Sequence, residues 1–172
     1  ALDHGMESPM HKKNRAELTQ FYRHHLLEDI MPFWQSRTLD KEQGGYFTCF
    51  DRQGNLTDTD KYIWMQGRQL WMFSAIYNQL EPRQEWLNLA QEGRDFLVAH
   101  AYAGIGRWFY QLDRQGQMKC PKLSFYTDAA ALSGLCEFAQ ASNSDADQSL
   151  IEETFAQFER NFYDPDFNEY HH

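Results

Sequence analysis

The chain has 172 residues, of which 42% are hydrophobic and 24% are charged, and this is enough for one domain with a core. Its formal net charge of -9 argues against a nucleic-acid partner, because phosphate binding needs Lys and Arg clustered on one face. The three cysteines are widely spaced and odd in number, which indicates neither a disulfide framework nor a metal site and favours a reduced, cytoplasmic setting. No apolar run has the length of an export signal or a membrane span, so no membrane partner is expected.

The first part of the chain is predicted to contain a leader and one long helix. Residues 1–13 have the composition of a flexible leader or an expression remnant, and residues 14–172 are predicted to form one helical domain. From 14 to 36, apolar side chains recur at steps of three and four residues, which is typical of an amphipathic helix. Pro32 is expected to kink or end this helix.

Two segments predict β-hairpins, because each joins an aromatic run to the same turn sequence, Asp-Arg-Gln-Gly. The turns occupy residues 51–54 and 113–116, and the first hairpin is expected over 45–57. A helix capped by Asp58 or Asp60 and ending near 80, and another over 82–100, are predicted between the turns. Two more helices are predicted over 126–141 and 147–162.

The order of these elements predicts an all-α fold built from repeated helix pairs, with short β-hairpins between the helices. Each pair buries only one face and therefore needs neighbours on both sides, as in an (α/α) toroid. A small helical-repeat adaptor fits the same pattern and is the structural alternative.

One helix carries an unusual stripe of side chains. Trp64, Arg68 and Trp71 are four and three residues apart, so they lie along one face of the predicted helix. In a structural interpretation, the Arg stacks on a Trp and bridges to a carboxylate, an arrangement worth about 0.5–2 kcal/mol. In a functional interpretation, the guanidinium donates hydrogen bonds to sugar oxygens and to an enediolate oxygen as charge develops there.

The sequence from 44 to 71 resembles the N-terminal signature of the N-acylglucosamine 2-epimerase family. The resemblance rests on Gly-Gly-Tyr-Phe-Thr-Cys at 44–49 and on Lys-Tyr-Ile-Trp-Met-Gln-Gly-Arg-Gln-Leu-Trp at 61–71. The same superfamily contains cellobiose 2-epimerases and aldose–ketose isomerases. The resemblance implies an (α/α)6 barrel, of which this chain holds the N-terminal half, with the sugar bound at the mouth of the central cavity.

The resemblance also implies which residues bind substrate. The family's Trp-x-x-x-Arg pattern falls on Trp64 and Arg68, and its pocket-lining Tyr at a helix start falls on Tyr126. Asp128 is a weaker candidate beside it. A Tyr at a helix start also commonly packs with its hydroxyl in water, which is the structural alternative for Tyr126.

Family members remove the proton next to the sugar carbonyl and return it to the opposite face, or to the neighbouring carbon in the isomerases. Histidine suits such acid–base work near neutral pH. The family's catalytic histidine pair lies in the second half of the barrel, so it is expected in sequence beyond this chain. The seven histidines here show no spacing typical of a metal site, and no catalytic residue is assigned.

The resemblance implies a small-molecule sugar substrate and no required cofactor. It favours an N-acylglucosamine and N-acylmannosamine 2-epimerase, and the alternatives are a cellobiose 2-epimerase or aldose–ketose isomerase relative, or a truncated sugar-binding or assembly fragment. A nucleotide such as ATP is expected as an unconsumed activator near residues 103–107, although a turn with positive φ also explains the glycines there. The unburied edges of half a toroid predict a homodimer or a complementing half.

Overall fold

The structure is a computed structural model that describes residues 14–164, so the predicted leader lies outside the described residues. The chain divides between Arg37 and Thr38 into two compact units, and each is described by itself. Within residues 14–164, no helix combines the length and the apolar character needed to cross a membrane.

The first unit is the predicted amphipathic helix, and it begins with a capping box. The side chain of Asn14 accepts from the backbone N–H of Glu17 at 3.1 Å, and the Glu17 carboxylate accepts from the Asn14 N–H at 2.9 Å. Of the two effects predicted for Pro32, the structure excludes an end of the helix, because a π-helical stretch precedes the proline and the helix continues beyond it. The segments are α1 (Arg15–His24), a π-helical stretch (His25–Ile30) and α2 (Met31–Arg37).

The second unit opens with a small two-stranded hairpin, in which β1 (Cys49–Phe50) pairs antiparallel with β2 (Leu56–Asp58). The predicted range of 45–57 began too early, because Tyr46 belongs to the core. Its ring is fully buried, its backbone exchanges two hydrogen bonds with the Gln66 amide, and its hydroxyl donates to the Leu89 carbonyl at 2.7 Å.

A four-stranded antiparallel sheet is built around one central strand. β5 (Arg107–Leu112) pairs with three partners, which are β3 (Lys61–Tyr62), β4 (Tyr102–Gly104) and β6 (Met118–Leu123). The predicted helix start at Asp58 or Asp60 is therefore wrong. The Asp60 carboxylate accepts from Gln111 and Lys119, so it is not free to cap a helix, and the chain enters β3 first.

Four helices complete the second unit. Apart from the start of the first, the predicted helices are confirmed as α3 (Ile63–Gln79), α4 (Gln84–Phe96) followed by a π-helical stretch (Leu97–Ala101), α5 (Phe125–Ser142) and α6 (Gln148–Tyr163). α3 and α5 approach closely because both carry glycine at the crossing. A Cβ placed on Gly67 would lie 2.5 Å from the carbonyl carbon of Ala130, and a Cβ on Gly134 would lie 2.6 Å from the oxygen of Gly67.

The two Asp-Arg-Gln-Gly segments form equivalent turns, as their repetition predicts. In the first, Gly54 has φ of 83° and its N–H donates to the Asp51 carbonyl at 3.0 Å. In the second, Gly116 has φ of 84° and donates to the Asp113 carbonyl at 3.1 Å. Positive φ is accessible to glycine without a steric penalty, which explains the residue at both positions.

Candidate functional site

Helices α3 and α5 bring together three of the residues that the sequence singles out. Arg68 on α3 donates from Nη1 to the Tyr126 hydroxyl on α5 at 3.1 Å. The ring centroids of Trp64 and Tyr126 lie 5.8 Å apart at an interplanar angle of 52°. Trp64 is half-buried, whereas Arg68 and Tyr126 are exposed. The three side chains therefore form one cationic and aromatic cluster on the surface of the second unit.

The structural interpretation of Arg68 required a carboxylate partner, and none is present within residues 14–164. The guanidinium carries five N–H donors, and the Tyr126 hydroxyl occupies one of them. An exposed Arg with unused donors beside two aromatic rings is suited to binding the oxygens of a polar ligand. Its hydrogen bond also fixes the Tyr126 hydroxyl, which is no longer a freely rotating group.

A groove of about 280 Å³ runs beside this cluster between α3 and α5. Trp71, the third member of the predicted stripe, lies in it and is 46% exposed. The lining residues are Arg68, Trp71, Tyr126, Ala129, Ala130 and Ser133.

Trp64 lines a second groove, of about 310 Å³, which has an aromatic wall. In this wall Tyr62 and Tyr110 meet edge to face with centroids 6.1 Å apart. Trp64 thus contacts Tyr126 and also reaches this neighbouring aromatic groove, whose lining residues are Thr48, Cys49, Tyr62, Trp64, Met65 and Tyr110.

Asp128 lies in the first turn of α5, where it contacts the start of β5. Its side chain is 1% exposed and accepts from Arg107 Nε at 2.6 Å and from the Trp108 backbone N–H at 3.0 Å. These contacts attach the start of β5 to the first turn of α5. The direct substrate contact suggested for Asp128 stays a prediction, and the visible role of this carboxylate is to position the sheet next to Tyr126.

The segment 103–107 forms the turn between β4 and β5. Gly104, Ile105 and Gly106 all have positive φ, of 92°, 50° and 73°, which confirms that the glycines serve a turn. The Gly106 N–H donates to the Tyr102 hydroxyl at 2.9 Å. Ile105 is 72% exposed in a left-handed conformation that a β-branched side chain rarely adopts.

Sequence reasoning missed a buried charge cluster of Asp40, Lys61 and Arg114. The Asp40 carboxylate accepts from Lys61 Nζ at 3.1 Å and from Arg114 at 2.9 and 3.0 Å, and the side chains of Asp40 and Lys61 are fully buried. Burial alone would raise the pKa of Asp40, but the hydrogen bonds from Arg114 and Lys61 outweigh it and hold that pKa well below its usual range. No local signal reveals the cluster, since its members are 21 and 53 residues apart in sequence.

None of the histidines within residues 14–164 is among the side chains that line the two grooves. His25 pairs with Asp29 at 2.5 Å, His24 lies in the first unit, and His100 packs on Phe96 with ring centroids 5.0 Å apart. Across residues 14–164, no group of three His, Cys, Asp or Glu side chains is arranged to hold a metal ion.

Comparisons with known proteins agree with the geometry. Residues 45–172 match the family described as N-acylglucosamine 2-epimerase (GlcNAc 2-epimerase). The N-acylglucosamine 2-epimerase of Bos taurus is 46% identical over 77 residues, which are 44% of this chain and 18% of that protein. The cellobiose 2-epimerase of Bacteroides fragilis is 31% identical over 126 residues, which are 72% of this chain and 32% of that protein.

The crystal structure of a sugar epimerase from a ruminal bacterium is similar to this chain, with a TM-score of 0.77 and 25% sequence identity. The match covers 84% of this chain and 37% of that structure. These similarities confirm the predicted fold class, an (α/α)6 barrel with short β-hairpins, of which the chain forms a part. The chain spans well under half the length of these relatives.

Proposed function

Because the chain belongs to the N-acylglucosamine 2-epimerase family, we propose that it forms one wall of the sugar site of an enzyme that interconverts N-acylglucosamine and N-acylmannosamine at C2. One observation carries the proposal. Arg68 is exposed, is held by the Tyr126 hydroxyl and faces no carboxylate within residues 14–164, so its charge is available to a ligand.

Each residue of the cluster has a role that follows from its chemistry. Arg68 donates hydrogen bonds to sugar oxygens and to the oxygen on which negative charge develops when the C2 proton leaves. Trp64 offers a ring face to the C–H groups of the sugar. The Tyr126 hydroxyl, already fixed by Arg68, supplies a further oriented polar contact. Asp128 keeps β5 against α5, and a direct contact from Asp128 to the sugar is a further proposal.

Epimerisation at C2 needs a base on one face of the sugar and an acid on the other, both with a pKa near neutrality. We expect these groups to be a histidine pair in family sequence beyond this chain, because the described histidines do not line the grooves of Arg68 or Trp64. Under this proposal, turnover requires residues in addition to those of this chain. The chain alone is expected to bind sugar without turning it over.

A second candidate function is that of a cellobiose 2-epimerase or an aldose–ketose isomerase. It is favoured by the 31% identity to a cellobiose 2-epimerase over 72% of this chain, a longer match than the one to the bovine N-acylglucosamine enzyme. The higher identity of 46% in the shorter match favours the N-acyl substrate. Binding of N-acetylglucosamine in preference to cellobiose separates the two candidates.

The test compares Arg68→Ala with Arg52→Ala, which removes an exposed Arg from the first hairpin turn and serves as the matched control. N-acetylglucosamine and N-acetylmannosamine are expected to raise the melting temperature of the wild type and of the control, but not of Arg68→Ala. Loss of the exposed Arg68 side chain should change the unfolding free energy by no more than about 0.5 kcal/mol.

Three results would contradict the proposal. They are a wild type that neither sugar stabilises, an Arg68→Ala variant that responds like the control, and an Arg68→Ala variant that does not fold, which would make Arg68 a structural anchor. Exchange of the C2 proton in deuterated water tests catalysis separately. Exchange by this chain alone would refute the assignment of the acid and base to other sequence.

Four narrower expectations also belong to this proposal. The enzyme requires no cofactor, a nucleotide such as ATP binds near residues 103–107 as an activator, the protein is cytoplasmic, and it associates as a homodimer. Association is supported by α6, on which Phe155, Phe162 and Tyr163 are 49%, 63% and 74% exposed. Aromatic side chains exposed together on one helix are typical of a surface that contacts another protein surface.

A further inference from the structure

The groove between α3 and α5 extends beyond the cluster of Arg68 and Tyr126. On α5, Tyr126 and Ser133 both line it and are seven residues apart, which corresponds to about 10 Å along the helix axis. On α3 the wall continues from Arg68 to Trp71, one turn further along. A groove of this length accepts more than a pyranose ring that is held at the end with Arg68 and Tyr126.

The far end of the groove differs chemically from the end with Arg68. Trp71 is 46% exposed, and within residues 14–164 its indole packs against no other ring and its N–H donates no hydrogen bond. Opposite it, the half-buried Ala129 and Ala130 contribute only methyl groups. This end is therefore an apolar recess with one large, uncovered aromatic wall.

Ser133 adds one hydrogen-bond acceptor to this recess. Its hydroxyl donates to the Ala129 carbonyl in the preceding turn at 2.8 Å, so its only proton is already used. The Oγ lone pairs remain available as acceptors, and the side chain is exposed. The recess thus combines a hydrogen-bond acceptor with apolar surface, which suits a ligand group that carries an N–H next to a methyl.

We propose that the recess of Trp71, Ala129 and Ser133 binds the N-acyl substituent of the sugar and gives the site its preference for N-acylated substrates. The acyl methyl packs on the Trp71 ring and on Ala129, and the amide N–H donates to Ser133 Oγ. A sugar with a hydroxyl at C2 leaves Trp71 uncovered. The inference rests on the proposed function, since it takes the sugar ring to be held by Arg68 and Tyr126.

The test uses N-acetylglucosamine and glucose as a matched ligand pair, with saturation-transfer difference NMR on the whole 172-residue chain. In the wild type, the acyl methyl protons are expected to receive the strongest saturation. Trp71→Ala should weaken the binding of N-acetylglucosamine by about tenfold, which is the lower end of what one buried methyl group contributes. The affinity for glucose should stay unchanged.

Two further variants make the result specific. Ser133→Ala should lower the affinity for the acylated sugar only. Ser142→Ala is its matched control, because Ser142 makes the same hydrogen bond to a carbonyl four residues earlier on the same helix, at 2.9 Å, but does not line the groove. Ala129→Leu fills the recess without removing Trp71, and it should abolish the preference for the acylated sugar. This variant also keeps the test decisive if Trp71→Ala does not fold.

The outcomes separate the two proposals. If Trp71→Ala and Ala129→Leu weaken the binding of both sugars equally, or of neither sugar, the recess does not recognise the acyl group. The proposed role of Arg68 is unaffected by that result. If Ser133→Ala behaves like Ser142→Ala, the amide contact is refuted. If the wild type binds neither sugar, the proposed function and this inference both fail.

Discussion

Replacing Asp40 with Asn is expected to destabilise the second unit by about 3 kcal/mol, the lower end of the cost of breaking a buried ion pair. The side chain keeps its size and an acceptor oxygen, so the change removes charge and not volume. Lys61 is fully buried and would be left without a counter-charge. Arg114 is partly exposed and retains Glu42 at 2.8 Å, which places the expected cost at the lower end.

The assay is urea unfolding at pH 7 of Asp40→Asn, Lys61→Met and the double variant. Since the double variant removes the unpaired ammonium as well, its cost should fall below the sum of the single costs by more than about 1 kcal/mol. Asp145→Asn, at an exposed position, is the control and should stay within about 0.5 kcal/mol of the wild type. Additive single costs, or an Asp40→Asn variant as stable as the control, would refute the reasoning.

The same cluster predicts how stability depends on pH. The folded pKa of Asp40 lies below its value in the unfolded chain, which is about 3.9. Its stabilising contribution is therefore fully present above that unfolded value and is lost as the pH falls through the folded pKa. The difference between wild type and Asp40→Asn should be constant from neutrality to about pH 5 and shrink below about pH 4. A difference that grows towards acid pH has the wrong sign for this mechanism.

Three further substitutions test other contacts. Gly67→Ala should lower the melting temperature, because its Cβ would lie 2.5 Å from the Ala130 backbone and such overpacking costs about 1–3 kcal/mol; an unchanged transition by circular dichroism would contradict this. Ile105→Asn should raise the urea midpoint, since a left-handed backbone costs an ordinary residue about 1–2 kcal/mol and Asn tolerates it; a fall would show that the Ile side chain is needed. Tyr46→Phe should cost about 1 kcal/mol in urea unfolding, through loss of the hydrogen bond to the Leu89 carbonyl; no cost would mean that this carbonyl finds another donor.

Local patterns in the sequence predict the helices of the second unit well. The sequence predicts a helix over 126–141, where α5 spans Phe125–Ser142, and another over 147–162, where α6 spans Gln148–Tyr163. Both helices are apolar at helical spacing and are bounded by polar turns, so the signal lies within each segment. The repeated Asp-Arg-Gln-Gly turns are predictable for the same reason.

The start of α3 could not be predicted locally. Asp58 and Asp60 are good N-terminal capping residues in isolation, but Asp60 instead accepts from Gln111 and Lys119. Lys61 is drawn into the interior by Asp40 and pairs with β5. These partners come from distant parts of the chain, and because of these tertiary contacts α3 begins only at Ile63.

The candidate site was also predictable only where its signal lies within one segment of the sequence. The spacing of Trp64, Arg68 and Trp71 places them on one helix face, which the groove residues of α3 bear out for Arg68 and Trp71. Tyr126 followed only from the family resemblance, because nothing in the spacing of the sequence links α3 to α5. Ser133 gave no signal at all, since a serine in an Ala-rich helix has no pattern that marks a binding role.

The crossing of α3 and α5 connects the fold to the site. Gly67 immediately precedes Arg68, and its carbonyl oxygen would lie 2.6 Å from a Cβ on Gly134. Because the two backbones approach so closely there, the guanidinium of Arg68 can reach the hydroxyl of Tyr126 on the neighbouring helix. A larger residue at either glycine would separate the helices and lengthen that hydrogen bond. The two glycines therefore set both the packing of the core and the width of the groove in which we place the sugar.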